Sequence, residues 1–408
     1  MKPIYLDNNA TTPIWPEVLE AMLPFLSHQA CYGNPSSLHW AGREVNAAVE
    51  RARQQVADLI HATADEVVFT ACGTEGDNFA LLGTMEALAS KGNHLITTAV
   101  EHPAVLDTCR YFEQRGGRVT YLPVNGQGLI DLGELEAAIT PQTVLISVMW
   151  ANNETGTLFP IKEIGAIARR YGVRFHCDAV QALGKVPIDV ERARVDLLVL
   201  SGHKIGAPKG VGALYIRRGT DMVPYLHGGH QERGLRAGTH NVPGIVGFGA
   251  ACSLIGPRLE QEMQRLQRLR DRLEQGIRLG VAEVGLNGHP QQRLANTLNL
   301  SFPFVEGEGL LLALDMLGIA ASSGSACTSG SEGASHVLRA MGASDMALNS
   351  SVRFSLGYQT TEEEIDYVLE QLPPLVERLR QMSPFSSPQD EDLSVFNCPV
   401  VECTIDDH

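Results

Sequence analysis

Asp178 and Lys204 each follow a short run rich in apolar residues, Val173–Cys177 and Asp196–Leu200. Such runs read as buried strands, so a carboxylate and an amine stand at the ends of two successive strands. In an open parallel sheet, ligands bind beyond the carboxyl ends of the strands. Pyridoxal phosphate needs this pair: an amine to bond the cofactor aldehyde, and a carboxylate to keep the pyridine nitrogen protonated so that the ring accepts electrons. Taken singly, Asp178 reads equally as a helix N-cap and Lys204 as a loop ammonium.

The other strand ends supply companions. Glu66–Thr70 leads into Ala71-Cys72-Gly73-Thr74, which opens a helix; its free N–H groups and the Thr74 hydroxyl suit a phosphate, although Thr74 also reads as a plain cap. Ser201 and His203 offer further phosphate contacts. His94–Val100 ends in Glu101-His102-Pro103, where an imidazole can stack on a planar ring or carry a proton; a structural histidine is the plainer reading. Thr143–Met149 ends in Trp150-Ala151-Asn152-Asn153-Glu154-Thr155-Gly156. An Asn amide there, or that of Gln181, can reach a phenolic oxygen of the cofactor; a turn built on Asn and Gly is the alternative. Arg353 lies in the otherwise apolar strand Ser351–Leu356 and needs an anionic partner, either a substrate carboxylate held bidentately or an internal acid. Ser322–Ser331 is a loop of small residues around one thiol, Cys327. Nothing large is present to pack that thiol, and an exposed thiol is a hazard unless it is used.

These residues need a frame. Strand-like runs at Glu66–Thr70, His94–Val100, Arg118–Leu122, Thr143–Met149, Val173–Cys177, Asp196–Leu200 and Val211–Ile216 alternate with helical stretches such as Thr74–Leu88, Leu132–Ile139 and Ile161–Tyr171. A helix capped by Ser36-Ser37 runs through Ile60 ahead of them. That alternation is the mark of an α/β fold with a mainly parallel sheet covered on both faces. The expected large domain is 15–260. A smaller α+β domain, 1–14 with 261–382, carries the Cys327 loop, and 383–408 reads as a polar acidic tail. Thr361 and Glu364 form the capping box of the last helix.

Composition narrows the partners. With 32 Lys plus Arg against 47 Asp plus Glu, the net charge of −15 leaves no sequence-wide footprint for nucleic acid or an anionic membrane. No run reaches the ~18 apolar residues of a bilayer span, and Met1–Asp7 lacks the apolar stretch of a signal peptide, so a cytoplasmic location is expected. Eight cysteines occur with no C-x-x-C pair, which argues against zinc; in a reducing cytosol they are thiols.

Taken together, these motifs resemble the cysteine desulfurases, pyridoxal-phosphate enzymes of the aspartate-aminotransferase fold (fold type I). The resemblance rests on Tyr5–Thr12, Gly33-Asn34-Pro35-Ser36-Ser37, Glu101-His102-Pro103, Asn152–Gly156, Ser201-Gly202-His203-Lys204 and Ser322–Gly330. The stretch Ser323–Ser329 is similar to the first of the family's two groups. Ser147–Asn153, Thr157–Ile161, Ala207–Gly212 and Gly228–Gly234 are most similar to the nitrogenase-associated members, with the housekeeping iron–sulfur desulfurases as the near alternative. Gly206 stands where a His is more usual, and Glu332-Gly333-Ala334 where Leu-Glu-Pro is.

The resemblance implies roles. Lys204 carries the cofactor covalently, Asp178 meets its ring nitrogen, and His102 stacks on it and shuttles protons. Gln181 bonds the phenolic oxygen, and Asn153 approaches that oxygen or the substrate. Gly73, Thr74, Ser201 and His203 hold the phosphate, and Thr239 reaches the phosphate of the other subunit in a homodimer. Arg353, with Asn34 and Asn153, binds L-cysteine. Cys327 takes the sulfur as a persulfide, leaving L-alanine, and is also implied as a transient iron–sulfur ligand. The acceptor implied is an iron–sulfur scaffold protein of the NifU- or IscU-like kind.

Overall fold

The computed structural model describes residues 3–27, 31–323 and 334–383. Twelve strands lie among them: β1 (Ile4–Tyr5), β2 (Val67–Thr70), β3 (His94–Thr98), β4 (Arg118–Leu122), β5 (Thr143–Ser147), β6 (Arg174–Asp178), β7 (Leu197–Ser201), β8 (Gly212–Ile216), β9 (Gly285–Leu286), β10 (Thr297–Ser301), β11 (Ile319–Ala320) and β12 (Ser351–Ser355). Seven of them form one sheet in the order β2-β8-β7-β6-β5-β3-β4. The block from β4 to β7 is parallel. Its strands β3, β5 and β7 are buried along their whole length, as strands covered by helices on both faces must be. β8 breaks the rule and runs antiparallel to both β7 and β2. The short link from Ser201 to Gly212 explains this, because a parallel return needs a crossover of a dozen or more residues.

The elements match those expected from sequence, with differences at the caps. The helix Trp40–Leu59 begins after the Ser36-Ser37 pair, because His39 caps it by accepting the Gly42 N–H on Nδ1 at 3.3 Å. The helix Gly73–Ala87 is capped by Cys72, not by Thr74. Its start is pressed against the sheet: a Cβ on Gly73 would lie 2.9 Å from Val180 Cγ2, and one on Gly76 2.9 Å from Val199 Cγ1. Glycine at both positions brings this helix end up to the tips of β6 and β7. The capping box of Thr361 and Glu364 forms as expected on the helix Glu362–Met382.

A second apolar cluster, which includes Leu273, Leu298, Phe302, Leu314, Phe354 and Val368, surrounds the small sheet β12-β10-β9. The start of the chain enters this cluster through Ile4 and Leu6. There β1 pairs in parallel with β11, and Asp7 bridges to Ser355. By length and composition the helical run Val242–Gly280 qualifies as a membrane span, which the sequence reading did not anticipate; half of its apolar window is buried. Its first part, Val242–Ile255, packs on the helices Trp40–Leu59 and Pro16–Met22.

Gly206, the departure noted in the lysine loop, has φ of +79°, and a Cβ there would lie 2.5 Å from the Trp15 indole. The Trp15 N–H also donates to the Gly206 carbonyl at 3.0 Å. Gly206→Ala therefore meets left-handed backbone strain of about 1–2 kcal/mol plus the clash. Its melting temperature should fall, and part of the loss should return in Gly206→Ala with Trp15→Ala; a wild-type melting temperature for the single variant would contradict this packing.

Candidate active site

β6 ends in Asp178 and β7 in Ser201, and a single 3-10 turn, Gly202–Lys204, follows β7. This local geometry sets the lysine against the start of the chain. Lys204 Nζ donates to the carbonyls of Asn9 (2.6 Å) and Ala10 (2.8 Å). Gln181, in the turn after β6, donates from Nε2 to the same Asn9 carbonyl at 2.9 Å. Two residues singled out from sequence thus converge on one backbone oxygen.

Asp178 is buried, and Oδ1 accepts the Val180 N–H at 2.8 Å. Burial, then the nearby Asp77 carboxyl, pushes its pKa up to about 7; the Val180 N–H, His176 and Lys204 pull the other way. Two further buried acids, Asp77 and Glu101, lie near Asp178. Glu101 accepts Thr98 Oγ1 at 2.7 Å and the Met149 N–H at 3.1 Å, both on Oε1, and burial raises it to about 8. Asp77 Oδ1 lies 3.5 Å from His176 Nε2, and burial holds the Asp77 carboxyl well above its ordinary value.

His102 caps the helix Pro103–Gln114, with Nδ1 accepting the Ala104 N–H at 3.1 Å. Burial, then the charges of Lys204 and His336, lowers its pKa to about 4. The ring is therefore neutral, and with Nδ1 accepting, its proton sits on Nε2. His203 is likewise lowered to about 4, first by burial and then by Lys204, and its Nδ1 pairs with Thr11 Oγ1 at 3.2 Å. Thr74 is exposed at the second position of the helix Gly73–Ala87.

Arg353 has the internal acid that one of its two readings called for. Its NH2 pairs with Asp7 at 2.9 Å, its NH1 donates to the Asn153 carbonyl at 2.9 Å, and its buried Nε has no hydrogen-bond partner among the described residues. Asn152 is the turn-builder: Oδ1 accepts the Glu154 and Thr155 N–H groups, and Nδ2 donates to the Val100 carbonyl. Asn34 lies apart in an exposed turn, with Oδ1 accepting the Ser36 N–H, and no contact among the described residues ties it to Lys204. Thr239 is exposed. Cys327 lies outside the described residues.

The class-V aminotransferase family profile matches residues 4–368. A relative from Trichormus variabilis named cysteine desulfurase 2 is 55% identical over 95% of this chain and 97% of its own length. Cysteine desulfurase NifS of Azotobacter vinelandii is 51% identical over 95% of this chain and 96% of its own. A solved NifS-like protein superposes with a TM-score of 0.87 at 38% identity, covering 92% of this chain and all of its own. The chain belongs to the cysteine desulfurases of the class-V aminotransferase family. Its cofactor is pyridoxal 5'-phosphate.

Features of the desulfurase fit that cofactor. Ser201 Oγ is buried without a hydrogen-bond partner, next to the helix end whose Gly73 admits no side chain. An oxygen-rich anion there would satisfy the hydroxyl and the free N–H groups together. Asp178 is the acid beside Lys204. Three residues of the desulfurase site carried no signal in the sequence: Asn9, Asp77 and His176. Asn9 falls in the Tyr5–Thr12 motif, but nothing in its type announces a shared carbonyl. Asp77 and His176 are polar residues within a helix and a strand, and only the fold brings them together.

Glu101 gives these buried acids a measurable signature. Its folded pKa of about 8 stands above its ordinary 4.5, so the folded state keeps a proton that the unfolded state has lost. That contribution to stability is complete below the unfolded value and is lost as the pH rises through about 8. Glu101→Gln, neutral throughout, should therefore gain on wild-type apoprotein by about 1.4 kcal/mol per pH unit across that window. Parallel stability curves from pH 6 to 8 would exclude a protonated Glu101.

Proposed function

We propose that this cysteine desulfurase converts L-cysteine to L-alanine, holds the sulfur as a persulfide on Cys327, and delivers it to an iron–sulfur scaffold protein serving nitrogenase. The observation that carries the reading is the convergence of Lys204 and Gln181 on the Asn9 carbonyl, with Arg353 joined to the same segment through Asn153 and Asp7. An amine, an amide donor and a guanidinium with an unused N–H thereby share one small region, as an amino-acid substrate on a pyridoxal cofactor would need.

When bound, pyridoxal phosphate supplies an electron sink for negative charge developing on the substrate. Asp178 would meet the ring nitrogen, and a cationic partner there returns its carboxyl toward the ionised form. Gly73, Thr74, Ser201 and His203 would hold the phosphate. Gln181 would donate to the phenolic oxygen, with Asn153 near that oxygen or the substrate. Arg353 would take the substrate carboxylate through the N–H it leaves unused. Lys204, freed from its own bond to the cofactor, would move the proton at the substrate Cα. His102 would lie against the ring, its Nε2–H positioned to pass a proton.

The thiolate of Cys327 attacks the substrate sulfur: an S–S bond forms, the C–S bond breaks, and its electron pair stays with the carbon. Protonation of that carbon gives L-alanine, so L-cysteine plus the Cys327 thiol balances as L-alanine plus the persulfide. No outside oxidant is needed. Cys327 would also bind the iron–sulfur cargo transiently.

The assembly proposed is a cytoplasmic homodimer. The large apolar side chains Leu19, Leu23, Tyr32, Leu38 and Trp40 are exposed near the start of the chain, and such side chains, where they adjoin, mark an association surface. Thr239, exposed in this protomer, would complete the partner's phosphate site, and Asn34 would act from the same exposed surface. The resemblance of Ser147–Asn153 and Gly228–Gly234 supports the nitrogenase-type scaffold over the housekeeping one.

Cys327→Ala separates the halves of the reaction. The variant should still change its visible spectrum on adding L-cysteine yet release no alanine above background, while wild-type protein given labelled cysteine should carry the label on Cys327 in an alkylated digest. A first persulfide on Cys31, Cys72 or another thiol, with alanine release intact in the variant, would overturn the role. Lys204→Ala should lose the cofactor link trapped by borohydride. Sulfur transfer should be faster to a NifU-like than to an IscU-like scaffold.

A further inference from the structure

We propose that Lys185, a residue with no role in the reaction above, is a positioning residue: it fixes the amide of Gln181 and the side chain of Asn9, and through them the carbonyl on which Lys204 rests. The proposal rests on the reading that Gln181 faces the cofactor.

Lys185 stands four residues after Gln181, in the turn that follows β6. Its stem borders a pocket between Trp15, Ile255, Leu356 and Tyr358, and its amine points inward. Nζ donates to Gln181 Oε1 at 2.7 Å and to Asn9 Oδ1 at 3.0 Å. Both acceptors are neutral amides, and among the described residues no carboxylate lies within ion-pair distance of this amine. The nearby charges are those of Lys204 and Arg353, which, after burial, push the Lys185 pKa well below its ordinary value. Burying a lysine amine with only neutral partners beside two other cationic groups costs stability, so stabilisation does not account for a lysine here.

Orientation does. A side-chain amide can sit either way round, and the Lys185 nitrogen, with at least two N–H groups in either protonation state, donates to both amide oxygens. With Lys185 on Oε1, the Gln181 NH2 group must face the other way, where one of its hydrogens goes to the Asn9 carbonyl and the second is left for an oxygen in the site. The same rule acts on Asn9. Its Oδ1 receives Lys185 and Asn296 Nδ2 (3.1 Å), so its Nδ2 is directed to the Asn153 carbonyl (3.2 Å) and Thr297 Oγ1 (2.9 Å). One donor thus sets two amides: that of Gln181, which bonds the backbone oxygen that receives Lys204, and that of the residue carrying this oxygen, Asn9. A flipped Gln181 would present a carbonyl oxygen to Asn9 O, and two lone-pair groups would repel across that contact.

The test uses full-length dimer reconstituted with pyridoxal phosphate. Lys185→Met fills the stem's space and removes the donor; Lys185→Arg keeps a donor-only group. In Lys185→Met the apoprotein should melt at or above the wild-type temperature, because the cost of burying a polar amine is gone. Its cofactor should nevertheless dissociate about tenfold faster, the loss of roughly one hydrogen bond's worth of binding, and its visible band should move. Lys185→Arg should recover most of the retention and the band. Gln181→Ala should show the same two changes, and the double variant Lys185→Met with Gln181→Ala should lose no more than the worse single, because the lysine acts through the glutamine. A lower apoprotein melting temperature with a wild-type band would make Lys185 merely structural and overturn the proposal. So would additive losses in the double variant, or a Gln181→Ala protein with unchanged cofactor retention. A wild-type control that takes up no cofactor overturns the functional reading itself, and this proposal falls with it.

Discussion

The carbonyl of Asn9 is the constraint on which the site depends. Asn9 is 1% exposed and sits where the start of the chain passes between the two apolar clusters. Its backbone oxygen receives Lys204 and Gln181 from the end of the large sheet. Its backbone N–H donates to Ser355 Oγ on β12, and its side chain joins Asn296, Thr297 and Asn153. A backbone oxygen cannot be moved without moving the chain, so the position of the Lys204 amine is tied to the pairing of β1 with β11 and of Asp7 with Ser355. Lys204 is thus located by residues nearly two hundred positions earlier in the chain, and by the second core as much as by its own strand.

Beneath that contact the buried acids and imidazoles are held largely neutral. Asp178, Asp77 and Glu101 lie near one another, and burial drives each toward its protonated form. His102, His176 and His203 are driven the opposite way, each to about 4, and are neutral. Desolvation is the first cause in all six, so a single physical term produces neutral acids beside neutral imidazoles. A ring nitrogen that carries a proton enters a field with acids on one side and no cationic histidine competing with it. Perturbed groups of both kinds in one cleft are what an acid–base site requires.

How much of this was legible in the sequence followed from the range of the interaction involved. The strands were legible because parallel strands buried on both faces leave near-continuous apolar runs, and Arg118–Leu122 and the Thr361/Glu364 box were read at their actual positions. The residues directly after strands were legible for the same reason: Asp178, Ser201 and Lys204 follow from knowing where β6 and β7 stop. Caps were read less well. Cys72 displaced Thr74 and His39 displaced Ser36-Ser37, because a sulfur or an imidazole can accept the N–H that a hydroxyl more often takes. Asn9, Lys185, Asp77 and His176 were not legible, since each draws its meaning from a partner on another element. The Arg353 reading was left open between substrate and internal acid; the structure supplies the internal acid, Asp7, and leaves Nε without a hydrogen-bond partner among the described residues.

The unpaired buried atoms divide by what relieves them. A buried donor or acceptor left without a partner costs about 1–3 kcal/mol. Asp77 Oδ1, Glu101 Oε2 and His176 Nε2 are buried, and for the two acids protonation removes the charge without any ligand. Ser201 Oγ and Arg353 Nε are different, because no proton transfer helps a hydroxyl or a guanidinium. Each lacks a hydrogen-bond partner among the described residues, an acceptor for the Arg353 N–H and a donor or acceptor for the Ser201 hydroxyl. A bound group that supplies either one stabilises the fold by mass action, so these two atoms are where binding and folding are coupled.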